Sequence, residues 1–335
     1  MAFYHSIRLD KSLYGGGKSF SRALEEMDPS ARYEGTEDGA LDAYQRQLKR
    51  FDIKVGGKSS DVVEKFFQSA DSAALFPEYV SRAVRQGMEE ANLIPSIVAT
   101  TTRIDGMDYR TIASVPTADE KSLRQVAEGA SIPETSVRTQ ENLVRLHKRG
   151  RMLVASYEAL RFQRLDLFTV TLRQIGSYIA RTQLEDAVQV LLNGDGNNNA
   201  AAVIDTAADG TLAYGDLISL WSAFTEYEMN TLLVSPQTMQ TLLNLDEFKA
   251  PQNGFDFLTT GKLNTPFGAR LIRSSAVPEG KLIGFDKRCA LELVQAGDIQ
   301  VDYDKLIDRQ LERAAITCTA GFAKIFADAV KVLAV

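Results

Sequence analysis

The order of helix and strand signals predicts an α+β protein. A helical pattern without proline runs from Asp166 to Asn193, strand-like segments rich in Thr, Ile and Val flank it, and helix and strand signals alternate after residue 200. A length of 335 residues allows about two domains. The composition, 44% hydrophobic and 24% charged, is typical of globular proteins and excludes collagen-like, rod-like and wholly disordered chains.

Charge and side-chain chemistry exclude further classes. The net charge is −6, whereas a dedicated nucleic-acid-binding domain is usually basic, so any contact with DNA is expected to be weak, local or shared over many copies. Two cysteines and two histidines predict neither a disulfide framework nor a zinc site, and we expect no metal or cofactor and synthesis in the cytosol. The sequence lacks an apolar run of about 18 residues and a secretion signal, so no membrane association is expected.

The first 60 residues differ from the rest. Aliphatic side chains are sparse there, and glycine runs interrupt the segment at Gly15–Gly17 and Gly56–Gly57. Such a stretch is expected to lack a core of its own and to act as an arm that lies on another surface. A short helix is predicted within Leu41–Arg50.

The core is predicted to begin near Val62, with a helix over Pro77–Ala91. The segment from Ile97 to Ser114 alternates and breaks at Asp105–Gly106, which predicts two strands joined by a hairpin turn. Residues 115–140 are polar and punctuated by proline and glycine, which is typical of a functional or extended loop. A strand with a basic outer face follows, ending near Ser156.

The long helix is the strongest secondary-structure prediction. Phe168, Leu172, Ile175 and Ile179 recur at helical spacing, and about 28 residues would span about 42 Å. The helix is expected to end at the Gly194–Asn199 loop. Further segments predict a helix near Leu217–Phe224, a strand at Leu232–Val234, a helix capped by Ser235-Pro236, and strands at Leu271–Ile272, Leu282–Phe285, Leu291–Val294 and Ala314–Cys318.

Catalytic and ligand-binding motifs are weak. Both GGKS sequences, Gly16–Ser19 and Gly56–Ser59, lack the first glycine of a phosphate-binding loop. The segment from Asp195 begins like a calcium loop but has Ala200 and Thr206 where that loop needs glycine and glutamate, so a helix cap and surface turn are favoured.

Single reactive side chains are explained without catalysis. His147 has no visible carboxylate or nucleophile partner and is expected on a solvated strand face. Cys289 and Cys318 have apolar neighbours and are expected to be buried. Asp302, Asp304 and Asp308 are interpreted as a solvated or inter-subunit acidic edge, and we expect no enzyme activity.

The segment from Arg145 to Arg151 holds four cations, Arg145, Lys148, Arg149 and Arg151. One interpretation is contact with phosphates. The favoured interpretation is pairing with acidic residues of a neighbouring subunit, such as Asp119, Glu120 or Glu128, because no aromatic side chains interleave to stack on bases.

The order of elements resembles the major capsid proteins of tailed bacteriophages, which share the Hong Kong 97-type capsid fold with encapsulins and herpesvirus shell floors. Four segments carry the resemblance: LFPEYVSRAVRQGMEEANLIPSI (Leu75–Ile97), VAEGASIPETSV (Val126–Val137), LVASYEALRFQRLDLFTVTLRQIGSYIARTQLEDAVQVLLNGDG (Leu153–Gly196) and TLLVSPQTMQTLL (Thr231–Leu243). Each is weak alone, but the ordered set, spanning about residues 75–335, is fairly specific.

The resemblance implies a domain organisation. Residues 1–66 would form an N-terminal arm, and 67–107, 151–200 and 289–335 a peripheral domain with the long spine helix. Residues 108–150 would form an extended β-hairpin loop lying over a neighbouring subunit, and 201–288 an axial α/β domain. The arm and the loop would gain burial only on assembly, and the implied inter-subunit contacts are Glu128, Gly129, Pro133, Arg145, Lys148, Arg149 and Arg151.

The implied function is a virion shell around double-stranded DNA, built from hexamers and pentamers in the host cytoplasm. Portal, scaffolding and decoration proteins would be partners, and the DNA would be contacted non-specifically. The pre-core segment is shorter than the cleaved region of some members, so no cleavage and a separate scaffold are expected. Lys121 lies in the loop, but no Asn partner or activating acid marks a covalent crosslink. An encapsulin-like compartment around protein cargo is the alternative.

Overall fold

A computed structural model describes residues 3–14, 19–112, 115, 117, 121, 125–132, 134, 137–156, 162–249, 266–306 and 311–335. The chain forms two compact units. The first unit comprises Met1–Asn92, Lys148–Ala180 and Asp298–Thr319, and the second comprises Leu93–His147, Arg181–Gly297 and Ala320–Val335.

The described α-helices confirm the predicted long helix and its neighbours. They are α1 (Phe20–Met27), α2 (Ala43–Arg50), α3 (Ala70–Ala73), α4 (Phe76–Ala91), α5 (Leu165–Asn193), α6 (Tyr214–Ser222), α7 (Pro236–Leu243) and α8 (Asp246–Lys249). Ser235 caps α7 as predicted, because its side chain accepts a hydrogen bond from the Thr238 N–H. None of the described helices is both long and apolar enough to cross a membrane.

The described strands are β1 (Thr100–Ile104), β2 (Leu146–Ser156), β3 (Ala202–Asp205), β4 (Thr231–Val234), β5 (Arg270–Arg273), β6 (Lys281–Phe285), β7 (Leu291–Ala296), β8 (Gln300–Leu306), β9 (Leu311–Lys324) and β10 (Val330–Ala334). One sheet has the order β1-β7-β9-β2, with β8 also paired to β9, and the other has the order β3-β10-β6-β4-β5. The predicted strands of the C-terminal half are therefore confirmed, and Asp302 and Asp304 of the predicted acidic edge lie on β8. β3 is a short element that the sequence pattern missed.

In the first unit, α4 packs closely against the N-terminal half of α5. A Cβ atom at Gly87 would lie 2.0 Å from the Arg173 carbonyl oxygen, and one at Gly176 would lie 2.0 Å from the Val84 carbonyl oxygen. Glycine at both positions allows the two backbones to touch. The Tyr79 hydroxyl further joins the helices by donating to the Leu165 carbonyl at 2.7 Å.

The expectation that the N-terminal arm gains burial only on assembly is wrong. Within the isolated chain Tyr4, Phe20, Leu24 and Leu48 are buried in the same apolar cluster as α4 and α5. Aliphatic residues are sparse in this segment, but tyrosine and phenylalanine supply much of its apolar area. The predicted helix within Leu41–Arg50 is confirmed as α2.

A buried ion pair fixes this N-terminal layer. The Arg46 Nε atom lies 2.7 Å from Asp28 Oδ2, and both side chains are almost wholly buried. The second Asp28 oxygen accepts from the Tyr33 hydroxyl at 2.7 Å. These partners offset the cost of removing the Asp28 carboxylate and the Arg46 guanidinium from water. Since the offset requires this geometry, the ion pair specifies how α1 and α2 pack.

In the second unit, the β3-β10-β6-β4-β5 sheet is covered on both faces. Leu233, Ile272 and Ile283 belong to one buried cluster. Leu232, Leu282 and Leu333 belong to another. Alternate residues along each strand point to opposite faces, so one sheet contributes to two cores.

The predicted hairpin at Asp105–Gly106 is wrong. β1 pairs in parallel with β7, and residues 107–112 form no strand. Within the described part of the following loop, Ile112 forms an isolated antiparallel bridge with Thr139. The physical reason is a buried carboxylate on β7, described below, that holds this segment in place of strand pairing.

Candidate inter-subunit surfaces

The predicted basic segment lies on and beside the edge strand β2. Arg145 precedes the strand and is exposed, Lys148 and Arg151 are exposed on it, and Arg149 is half-buried. Gly150 allows β2 to lie close to β9, since a Cβ atom there would be 2.6 Å from the Ile316 carbonyl oxygen. The sheet therefore presents these cations along an edge.

One face of β2, which carries Lys148, also exposes apolar side chains. Met152 and Val154 are exposed, while Leu153, on the opposite face, packs against the core of the first unit. A strand that places cations and exposed apolar side chains together has the composition of a protein-binding surface.

The other predicted contact residues lie in the loop between β1 and β2. Glu128 is exposed, and Gly129 adopts a φ of 78°, a left-handed turn conformation that favours glycine. Among the described residues, no ion pair joins Glu128 to the cations of β2 in the same chain. Pro133, Asp119 and Glu120 lie outside the described residues.

Glu292 anchors the start of this loop. Its buried carboxylate accepts hydrogen bonds from the hydroxyls of Thr102, Tyr109 and Thr111, at 2.5, 2.7 and 2.5 Å. Burial and the neighbouring Glu292 carboxylate raise the pKa of Tyr109, so that hydroxyl keeps its proton and remains a donor. The sequence analysis missed Glu292; a carboxylate within the apolar run Leu291–Val294 was the available signal.

The exit loop of α5 anchors the other end. The Asn142 backbone N–H donates to the Asn197 side-chain oxygen at 2.9 Å, and the Asn197 amide donates to Gln140 Oε1 at 2.6 Å. Asp195 is buried and accepts from the Lys324 N–H at 2.9 Å. The predicted helix cap and turn is therefore a hydrogen-bonded attachment point, and no group of potential metal ligands occurs among the described residues.

Lys121 provides a further attachment. Its Nζ atom lies 2.9 Å from Glu226 and 3.2 Å from Asp328. Its hydrogen bond to Glu226 raises the pKa of Lys121, which stabilises the charged form.

Between these attachments the loop exposes large apolar side chains. Ile132 is 75% exposed and Val137 is 83% exposed. A single copy of the chain leaves these side chains in water, so their burial requires a partner.

Most of the other residues singled out in the sequence lie within the described part of the chain, whereas Asp308 lies outside it. His147 is half-exposed with its Nδ1 atom 3.4 Å from Asp186, a carboxylate partner that the sequence did not reveal. Asp304 pairs with Arg313 at 2.6 Å. Cys318 is buried, but Cys289 is only partly so, and burial raises the pKa of its thiol.

The loop between β1 and β2 is thus attached within the chain at Glu292 and Asn197 and exposes apolar side chains between these attachments. A family model described as phage capsid protein matches residues 139–310, and the chain belongs to that family. It is a structural protein, and it is located in the capsid of the virion. A search of curated proteins finds no match.

Solved structures share the fold at low sequence identity. A virus-like particle from Pyrococcus furiosus is 14% identical, with 76% of this chain and 98% of that chain covered and a TM-score of 0.53. The capsid of a native GTA particle is 14% identical, with 72% and 89% covered and a TM-score of 0.54. The capsid of Cyanophage P-SCSP1u is 12% identical, with 73% and 88% covered and a TM-score of 0.52. The chain has the Hong Kong 97-type capsid fold, as the sequence predicted.

Proposed function

We propose that this chain is the major capsid protein of a tailed phage, which assembles through hexamers and pentamers into an icosahedral shell around double-stranded DNA. The observation that carries the proposal is the loop between β1 and β2. It is held at Glu292 and at Asn197, yet it exposes Ile132 and Val137. Such a loop loses its exposed apolar area when a second copy covers it.

The domain division follows from this proposal. Residues 1–66 form the N-terminal segment, 108–150 the extended loop and 201–288 the axial domain, and 67–107, 151–200 and 289–335 form the peripheral domain. Each subunit then contributes its two domains to the shell wall, and its loop binds a neighbouring subunit. Each loop contact is modest in strength, but many such contacts act together in a closed shell.

The contact between loop and neighbour is assigned to opposite charges. Glu128, beside Gly129 and before Pro133, would face Arg145, Lys148, Arg149 and Arg151 of the next subunit. Exposure of Glu128 and of three of the four cations in the single chain supports this assignment. Such contacts chiefly give orientation and register between subunits.

The cargo is assigned from charge. A net charge of −6 on each copy weakens adhesion of a polyanion to the wall, so packaged DNA is contacted non-specifically. Assembly is proposed in the host cytoplasm with portal, scaffolding and decoration proteins as further partners.

Electron microscopy of the full chain after size-exclusion chromatography tests the proposal. We expect rings of five and six copies or closed shells, and coexpression with the phage's scaffolding protein, where it is needed, should raise the yield of shells. Nuclease-protected nucleic acid inside the shells supports the phage assignment. Shells that enclose protein and no nucleic acid would support the encapsulin-like alternative. A chain that stays monomeric even with its scaffolding protein would contradict both.

Charge reversal tests the assigned contact. Glu128→Lys should reduce shell formation, and adding Arg151→Glu in the same chain should restore part of it, because the pair is reversed together. Glu89→Lys, an exposed carboxylate on α4, is the matched control. Equal shell yields for Glu128→Lys and Glu89→Lys would contradict the contact.

A further inference from the structure

The two outer strands of the sheet in the second unit carry opposite charges. Among the described strands, β5 ends the sheet on one side and bears Arg270 and Arg273, both exposed. β3 ends it on the other side, and exposed Asp205 lies on it. Asp209, also exposed, lies in the turn closed by the Ala208–Thr211 bridge just after β3.

These charges have no partners within the described part of the chain. No ion pair there includes Arg270, Arg273, Asp205 or Asp209, although nearby charges such as Asp286 and Arg288 are paired at 2.9 Å. Five strands spaced about 4.8 Å apart place the two edges about 19 Å from each other. The separation is too large for the two edges of one copy to neutralise each other directly.

Strand direction adds a geometric condition. β4 and β5 are parallel, β6 is antiparallel to both β4 and β10, and β10 is parallel to β3. It follows that β3 and β5 run in the same direction at opposite edges. Rotation about an axis along the strands brings β5 of one copy beside β3 of the next in parallel.

Charge decides between the two ways in which copies could meet. A two-fold contact would place β5 against β5, or β3 against β3, and would oppose like charges. A head-to-tail contact places Arg270 and Arg273 against Asp205 and Asp209, and head-to-tail contacts close into rings. Val203 on β3, 59% exposed, adds apolar area at the same edge.

We infer that the basic β5 edge of one copy binds the acidic β3 edge of the next and so sets the ring contact of the capsid subunits. This inference rests on the proposed self-assembly and names the surface that performs it. A different role for the same charges is known in physical terms: charged side chains on edge strands prevent unwanted sheet pairing. The two roles give different results when both edges carry the same sign: ring formation is lost if the edges bind each other, and it is retained if the charges only prevent pairing.

Three variants distinguish binding between the edges from prevention of sheet pairing. Arg270→Glu with Arg273→Glu makes both edges acidic, Asp205→Lys with Asp209→Lys makes both edges basic, and the fourfold variant exchanges the charges. Asp246→Lys, on a fully exposed side chain of α8, is the control. Thermal unfolding identifies folded variants, and Arg270→Gln with Arg273→Gln replaces the acidic variant if that variant fails to fold.

Each single-sign variant should form rings at least about tenfold less readily than the wild type, since like charges then meet across the contact. The exchanged variant should recover ring formation. An equimolar mixture of the two single-sign variants should form rings in which they alternate. Alternation requires an even number of copies, so mass measurement should find six and no five.

Wild-type ring yields from both single-sign variants would overturn the inference and leave the proposed function standing. Failure of the folded fourfold variant to recover, or five-membered rings from the mixture, would also overturn it. Absence of rings from the wild type and every variant, with the scaffolding protein present, would overturn the inference together with the proposed function.

Discussion

Residues 3–66 and residues 108–150 are both polar, glycine-containing segments, but they differ in how far their apolar side chains are buried. The N-terminal segment buries Tyr4, Phe20 and Leu24 against helices of its own unit. The loop leaves Ile132 and Val137 in water. The difference lies in spacing: the N-terminal segment gathers its apolar side chains around a satisfied ion pair, whereas the described loop residues scatter theirs along an irregular backbone.

The comparison separates two kinds of polar segment in a shell protein. One is part of the folded subunit, so damage to it should destabilise the isolated chain. On the proposed function, the other is a surface for a second copy, so damage to it should leave the chain stable and impair assembly. The first and the last of four substitutions, Asp28→Ala and Ile132→Ser, test this separation, and the other two, at Lys324 and Gly87, test packing inside each unit.

Asp28→Ala should lower the free energy of unfolding of the first unit by about 3–5 kcal/mol, because it leaves the guanidinium of Arg46 buried without its carboxylate partner. Urea denaturation followed by circular dichroism measures the change. Arg22→Ala, which removes the exposed Arg22–Glu26 pair, should cost less than about 1 kcal/mol. Equal effects would show that the N-terminal segment does not depend on its buried ion pair.

Lys324→Met should stabilise the second unit at pH 7. Burial lowers the pKa of Lys324 from 10.5 to about 8, although its Nζ donates to the Leu191 carbonyl at 2.8 Å. The folded-state pKa is below the unfolded value, so the cost of the buried charge is fully present below pH 8. The free energy of unfolding should therefore rise by about 3 kcal/mol as the pH increases from 8 to 10.5.

Urea denaturation between pH 7 and 10.5 measures this rise, which should be absent in Lys324→Met. Lys281→Met, at a half-buried lysine on β6, should retain it. The backbone N–H of Lys324 still donates to Asp195 in the variant, so the loop attachment should persist. A wild-type profile that matches that of Lys324→Met would contradict the prediction.

Gly87→Ala should destabilise the first unit by about 1–3 kcal/mol, because the added methyl group meets the backbone of α5. The matched control is Gly215→Ala on α6, where the added carbon meets nothing within 4 Å. That variant should be stabilised by up to about 1 kcal/mol through helix propensity. Differential scanning calorimetry compares the two, and changes of the same sign would argue against close contact between α4 and α5.

Ile132→Ser should change the stability of the isolated chain by less than about 0.5 kcal/mol, because the side chain is exposed. It should nevertheless reduce shell yield, measured by sedimentation, since an apolar contact between copies is lost. Leu143→Ser, an exposed apolar residue near the loop's attachment, is the control. A large loss of chain stability in Ile132→Ser would show that the loop, like the N-terminal segment, is part of the folded subunit.

Local signals account for the parts of the fold that were predicted well. The periodicity of Phe168, Leu172 and Ile175 predicts α5 because helix geometry repeats every 3.6 residues. The Ser235-Pro236 pair predicts the start of α7 for a similarly local reason. Contacts between distant residues were not predictable in this way: Glu292 meets Thr102 and Thr111 across about 180–190 positions of sequence.

The candidate site shows the same division. Arg145, Lys148 and Arg151 are recognisable in the sequence as a basic segment, and all three are exposed in the structure. The attachments of the loop at Glu292 and Asn197 were missed because a buried carboxylate and an amide in a turn have no distinctive spacing. The placement of opposite charges at the two edges of one sheet was equally unpredictable, since the local sequence of β3 or β5 does not reveal the order of strands in the sheet.

The long helix, the order of the elements and, through that order, the capsid family could be predicted from the sequence, because these depend on local periodicity and on succession along the chain. Three features became visible only in the folded chain: the burial of the N-terminal segment, the parallel pairing of β1 with β7, and the placement of cations and carboxylates at opposite edges of one sheet. These outcomes depend on which distant surfaces lose water together and which buried polar groups find partners, and both are properties of the folded chain.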